Sequence, residues 1–151
     1  MLVAAETPAP LPPAILELDE MWTFVGRKKN KVWLWLAVER GSRQIVAWVL
    51  GCRGAATAQR LWLMLPPEFQ KNTRYLTDAW EAYAKVLPAA AHQACPKGSG
   101  ETSIVEAINF SLRQRCGVLV RKSCSFSKCL KMHHKRIEIC IKNHNVSLTR
   151  N

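Results

Sequence analysis

The chain has 151 residues, 48% of them hydrophobic, and carries a formal charge of +11 from 22 Lys and Arg against 11 Asp and Glu. This length suits one domain with a real core and leaves little room for two, and the apolar content excludes a disordered tail. The charge makes a polyanion the expected partner, nucleic acid first, and no apolar run approaches the ~18 residues a membrane helix needs.

The first fourteen residues, MLVAAETPAPLPPA, hold Pro8, Pro10, Pro12 and Pro13. They read as an extended linker, with the folded domain beginning at Ile15. Three segments of period near two follow: ILELDEMWTFV, KVWLWLAVE and RQIVAWVLG, separated by the turn-like GRKKNK and RGSR. Together they predict an antiparallel three-strand meander. TAQRLWLMLP, from Thr57, has helical spacing and stops at Pro66 and Pro67.

RYLTDAWEAYAKVLP predicts a brief strand over Arg74 to Thr77 and then a helix ending before Pro88, with a fifth strand or loop near His92. PKGSGETS supplies a flexible connection and a Ser or Thr helix cap. IVEAINFSLRQR, after Ser103, and SKCLKMHHKRIEICIKNH complete the order as two further helices. The result is an α/β layer over residues 15–145, helices packed on a mixed sheet, and 146–151 form a tail.

The acids are few and oddly placed. Asp19 and Asp78 are the two aspartates of the chain, and Asp19 stands mid-strand, where Asp is disfavoured. A carboxylate buried in a sheet needs a counter-charge or a metal. Asp78, just past a short strand, reads equally as a helix N-cap, and Glu106 alone reads as a solvated helix residue. If the three converge on one sheet edge, they form the hard-oxygen set that holds Mg²⁺ for two-metal phosphodiester chemistry. Glu20, next to Asp19, points to the opposite face on alternating strand geometry.

LDEMWTFVGRKKNKVWLW, YLTDAWEAY and VEAINFSLRQRCGVLVRKSCSFSK resemble, in order and wording, the catalytic half of transposases of the insertion sequence 1 family. The resemblance spans about Ile15 to Asn145. It implies an RNase H-like fold of the DDE superfamily, with a mixed five-stranded sheet, and a polynucleotidyl transferase that cleaves element ends and joins 3′-hydroxyls to target DNA. Asp19 in DEMW, Asp78 in TDAW and Glu106 in IVEAIN take the places of the catalytic, metal-binding acids, which hold two Mg²⁺ or Mn²⁺ ions.

The chain departs from the family pattern in two places. Members commonly read E-R-x-N where this chain has Glu106-Ala107-Ile108-Asn109, and the 27 residues between Asp78 and Glu106 make a slightly long gap. The family's zinc-binding and helix-turn-helix region is absent here. The implied partners are therefore element-end and target DNA, an upstream zinc/helix-turn-helix protein of the same element joined by frameshifting, and further copies of the chain on DNA.

Residues 112–151 carry ten Lys or Arg against Glu138 alone. Asn109 and Arg113 fall at i+3 and i+7 from Glu106, while Ile104, Ile108 and Leu112 make the packing stripe. Asn109, Arg113, Arg115, Arg121, Lys122 and Lys128, the last four interleaved with serines, are suited to DNA contact, and Trp80 joins them at the rim of the site. For Arg121 and Lys122 an ordinary solvated loop is the competing reading. At the basic run Arg27 to Lys31, solubility and DNA contact are equal readings.

Six cysteines without paired spacing, and no signal peptide, predict reduced thiols and a soluble cytoplasmic protein, nucleoid-associated when on DNA. A structural zinc site is set aside because His92, Cys95, Cys140 and His144 form no compact knuckles. Two rival functions remain: an RNase H-like nuclease that only hydrolyses, and a non-catalytic DNA-binding protein derived from a transposase.

Overall fold

Glycine at position 26, with φ of 75°, lets the chain reverse between two long strands without the strain a side chain would meet. The computed structural model, which describes residues 12–96, 98–119 and 129–149, places β1 at Ala14–Val25, β2 at Arg27–Glu39 and β3 at Ile45–Gly51. These three are antiparallel neighbours, as the period-two pattern predicts. The basic run differs from expectation. Arg27 to Lys31 belongs to β2, fully exposed, and Gly26 alone is the turn.

β4 (Thr73–Asp78) pairs in parallel with β1, and β5 (His92–Cys95) in parallel with β4. The sheet therefore runs β3-β2-β1-β4-β5 with β1 at its centre. Four α-helices complete the described fold: α1 (Ala55–Met64), α2 (Glu81–Ala84), α3 (Ser103–Arg115) and α4 (Leu130–Ser147). α2 is a single turn, shorter than the sequence predicts; Leu87 closes back on the Tyr83 carbonyl just before Pro88 ends the run. Among the described residues no helix is long and apolar enough to cross a membrane.

Strand alternation splits the core in two. Met21, Leu34, Leu36 and Val38 pack with Val105, Ile108 and Leu112 of α3 and Ile137 and Ile141 of α4. Leu16, Leu18, Trp35 and Ala37 face the other way, against Ala58 and Leu61 of α1 and Tyr83 of α2. Each large side chain so buried is worth about 1.5–3 kcal/mol. On β1, odd-numbered residues thus face α3 and α4, and even-numbered residues face α1 and α2.

Polar contacts fix α4 where apolar packing alone would let it slide. Its buried stripe His133, Ile137, Ile141 and His144 follows helical spacing. The His133 Nε2 lies 2.7 Å from the Thr23 hydroxyl, which donates to the Val32 carbonyl, so the ring nitrogen is the donor of that pair. Asn145 brackets the first residue of β3, accepting from Ile45 N–H at 2.9 Å and donating to its carbonyl at 3.0 Å.

Candidate active site

β1 and β4 stay paired only as far as Glu17 and Leu76. Carried two residues further, that register sets Asp19 beside Asp78, the last residue of β4, on the same face of the sheet. The ladder has ended there, so the edge of β1 is uncovered and carboxylates can gather along it. One oxygen each of Asp19, Glu20 and Asp78 lies within 4.8 Å of the others.

Each acid is held differently. Asp19 Oδ2 accepts from the Asn109 amide of α3 at 2.8 Å. Asp78 Oδ1 accepts the Trp80 backbone N–H at 3.0 Å. The N-cap reading of Asp78 is corrected: Trp80 stands at the cap position of α2, which has no side-chain cap, and the Asp78 bond closes the turn before the helix while its carboxylate joins the cluster. Glu20 is buried on the α1/α2 face, where it accepts from the Tyr83 hydroxyl at 2.5 Å and from Arg53 Nε and Nη2 at 3.3 and 3.2 Å.

The expectation that Glu20 faces away from the site is corrected by this arrangement. Its Cβ does leave β1 on the face opposite Asp19, as its Tyr83 partner requires. The glutamate side chain is longer than aspartate by a methylene, and where β4 stops flanking β1 it brings its carboxylate to the shared edge.

Electrostatics follow from the crowding. Burial first, then the charges of Glu20 and Asp78, push the Asp19 carboxyl from its ordinary 3.8 to about 7, against the opposing hydrogen bonds of the Glu20 backbone and Asn109. Glu20 is raised by burial and by Asp78, with Tyr83 and Arg53 pulling it back. The Tyr83 hydroxyl is driven well above its usual range by burial and by Glu20, so it stays a donor. A group of clustered carboxylates that resists full ionisation is relieved by a hard divalent cation. The residues fit one: all three donors are carboxylate oxygens, and Asn109 Oδ1 is buried without a partner among the described residues.

α3 is aligned on β1 by three successive contacts. Buried Glu17 Oε1 accepts the N–H groups of Ile104 and Val105 at 3.0 and 3.1 Å, Asp19 takes Asn109, and the Trp22 carbonyl accepts from Arg113 Nη2 at 3.3 Å. The Ser or Thr cap expected at the start of α3 is thus corrected. Thr102 makes no side-chain capping bond, its hydroxyl donating instead to Glu106 Oε1 at 3.0 Å, and the cap comes from the central strand. Arg40 Nε completes Glu17 at 2.9 Å.

Among the sequence-predicted site residues, Asp19, Asp78 and Asn109 come together. Glu106 lies on α3 one turn before Asn109, exposed, and is outside the set of mutually close carboxylates. Trp80 is half-buried beside Asp78, Arg113 is half-buried against β1, and Arg115 is exposed. Arg121, Lys122 and Lys128 lie outside the described residues. Sequence reasoning passed over Glu17, Arg53 and Tyr83. Glu17 carried a signal, since acids at 17 and 19 of one strand share a face; Arg53 and Tyr83 carried none.

Comparison with known proteins matches this geometry to a family. A family model described as IS1 transposase matches residues 14–147. The insertion element IS1 4 protein InsB of Escherichia coli K12 is 38% identical over 121 residues, 80% of this chain and 70% of its own length. The iso-IS1n protein InsB of Shigella dysenteriae is 35% identical over 131 residues, covering 86% and 95%. Among solved structures, the HTLV-2 integrase catalytic core domain, described in complex with magnesium, superposes with a TM-score of 0.55 over 87% of this chain and 84% of that one, at 13% identity. The last likeness identifies the fold as RNase H-like. With family and fold agreeing, the chain belongs to the IS1 transposase family and its sheet domain is a DNA transposase catalytic domain.

Proposed function

We propose that this domain cleaves the ends of an insertion element and joins the resulting 3′-hydroxyls to target DNA, using two Mg²⁺ or Mn²⁺ ions held by Asp19, Asp78 and Glu106. The observation that carries the reading is the gathering of Asp19, Glu20 and Asp78 within 4.8 Å at the open edge of the central strand. Bound divalent cations would supply charge neutralisation at the phosphate and activation of the attacking oxygen.

The protein's own residues set the stage for that chemistry. Asn109 fixes the Asp19 carboxylate through Oδ2. Asp78 is oriented by the Trp80 N–H. Glu106 reaches the site from α3 by releasing Thr102, since it lies one turn from Asn109 on the helix that Glu17 aligns. Arg113 and Arg115, with Arg121, Lys122 and Lys128 further on, hold the DNA backbone, and the exposed bases of α4 extend the same field. Element-end recognition falls to an upstream zinc/helix-turn-helix partner, fused by frameshifting or supplied separately, and synapsis of two ends to a homo-oligomer.

The test is a strand-transfer assay with a labelled duplex bearing a free 3′-hydroxyl and a supercoiled target, in Mg²⁺ and in Mn²⁺, with the chain supplied alone and fused to its upstream partner. Joined product that disappears in EDTA and in Asp19→Asn or Asp78→Asn supports the reading. Hydrolysis without joining would replace it with a nuclease, and DNA binding with neither product would replace it with a regulator.

A further inference from the structure

Arg53, in the segment between β3 and α1, is held between two tryptophans. Its guanidinium carbon lies 4.1 Å from the centroid of the Trp80 ring and 4.7 Å from that of Trp33. The backbone beneath it is pinned as well: the Trp80 indole N–H donates to the Arg53 carbonyl at 3.1 Å, and the Trp35 indole to the Cys52 carbonyl at 2.9 Å. Nε and Nη2 donate to Glu20 Oε1. The side chain nevertheless stays 40% exposed, and Nη1 has no acceptor among the described residues.

Neutralising Glu20 does not require this arrangement. Tyr83 already bonds that carboxylate, and a flexible lysine would supply the charge. What two indoles add is a fixed guanidinium plane, with the rotamer entropy of a long side chain surrendered before any ligand arrives. A planar fork with open donors, oriented in advance, is suited to a tetrahedral oxyanion. It stands one ion pair away from Glu20, whose carboxylate closes on Asp19 and Asp78.

We propose that Arg53, oriented by Trp33 and Trp80, is a substrate-contacting residue that donates from Nη1 to a non-bridging oxygen of a DNA phosphate within one nucleotide of the phosphate held at the carboxylates. This inference rests on the transposase reading above and names a contact which that reading does not contain. Trp80 becomes a positioning residue, acting on DNA through Arg53. The guanidinium also ties DNA contact to the acid cluster, because the same fork bridges Glu20 and the phosphate.

The experiment measures binding of the full-length chain to a short labelled duplex in Ca²⁺, across a salt series, and then to a set of duplexes each carrying one uncharged methylphosphonate. Arg53→Ala is expected to weaken binding about tenfold with a salt slope smaller by about one, and Arg53→Lys, which keeps the charge and loses the oriented fork, to weaken it several-fold with the slope nearly unchanged. The loss caused by Arg53→Ala should vanish on the duplex whose methylphosphonate replaces the contacted phosphate. Trp80→Phe should bind like the parent, and Trp80→Ala should fall between.

Arg53→Lys binding as tightly as the parent would overturn the inference, and so would an equal loss across every methylphosphonate duplex, which is what a purely structural role predicts. Failure of the transposase reading has a different signature. There the parent chain gives no joined strand with or without its upstream partner, or Asp19→Asn leaves joining intact, whatever Arg53 does.

Discussion

The two faces of the sheet treat adjacent acids of β1 in opposite ways. On the α1/α2 face Glu20 meets a cation and a phenol, and both work to keep it charged. On the α3/α4 face Asp19 receives neutral donors, the Glu20 backbone N–H and the Asn109 amide, and two further acids crowd it. Two acids one residue apart thus end as a partly compensated charge on one side and a less compensated one on the other. The less compensated acid has affinity to spare for a cation; the other serves to place Arg53.

The comparison breaks most sharply in activity. Asp19→Asn is expected to lower strand transfer by on the order of 10³-fold or more, since no other group at the site replaces its oxygens. Glu20→Gln, which keeps a carbonyl oxygen for Tyr83 and Arg53, should lose far less. Matched single-turnover rates in Mn²⁺ check this; equal losses would erase the distinction between the faces.

Glu17 sharpens the contrast within the α3 face. It is fully buried, yet it accepts two helix N–H groups and Arg40, so removing it strands three donors at once. Glu17→Ala should cost about 3–5 kcal/mol in urea unfolding, and Glu17→Gln, which can still accept from α3, clearly less. A Glu17→Ala variant as stable as the parent would mean that apolar packing alone seats α3.

The Asp19 carboxyl gives the contrast a pH signature. Folding raises it from 3.8 to about 7, so between those values the folded chain binds more protons than the unfolded one. Stability from this group is therefore full below about pH 4, is lost as pH rises towards 7, and is not regained above. At pH 8 without divalent cation, Asp19→Asn should be the more stable protein by on the order of 1–2 kcal/mol. Mg²⁺ should raise the melting temperature of the parent and leave that of the variant unmoved, which calorimetry at two pH values checks.

How much of this was legible follows from what encodes each part. The meander was plain because period-two runs such as KVWLWLAVE are local, and α3 because Ile104, Ile108 and Leu112 recur at helical spacing. Asp19 stood out as an acid in an apolar strand. Its approach to Asp78, by contrast, depends on the β1–β4 register and on that ladder ending at Glu17 and Leu76, which pairing sets and no local pattern records. The same holds for the cap of α3, supplied from 87 residues away, and for Arg53, whose tryptophans come from β2 and from the segment after β4.

The smallest expected effect concerns Glu106, the acid that stands apart from the cluster. Its Oε1 is engaged by the Thr102 hydroxyl four residues earlier, a half-buried bond that must break if the carboxylate is to turn towards Asp19. A hydroxyl-to-carboxylate hydrogen bond is worth about 1.5–3 kcal/mol, towards the low end where it is half-exposed. Thr102→Val removes the hydroxyl at nearly constant volume, so it frees Glu106 while slightly loosening the first turn of α3. If Glu106 joins the ions, apparent Mg²⁺ affinity in strand transfer should tighten by a few fold at the expense of a small drop in melting temperature. If Glu106 stays a solvated helix residue, the melting temperature alone moves, and the ligand set contracts to the carboxylates of β1 and β4.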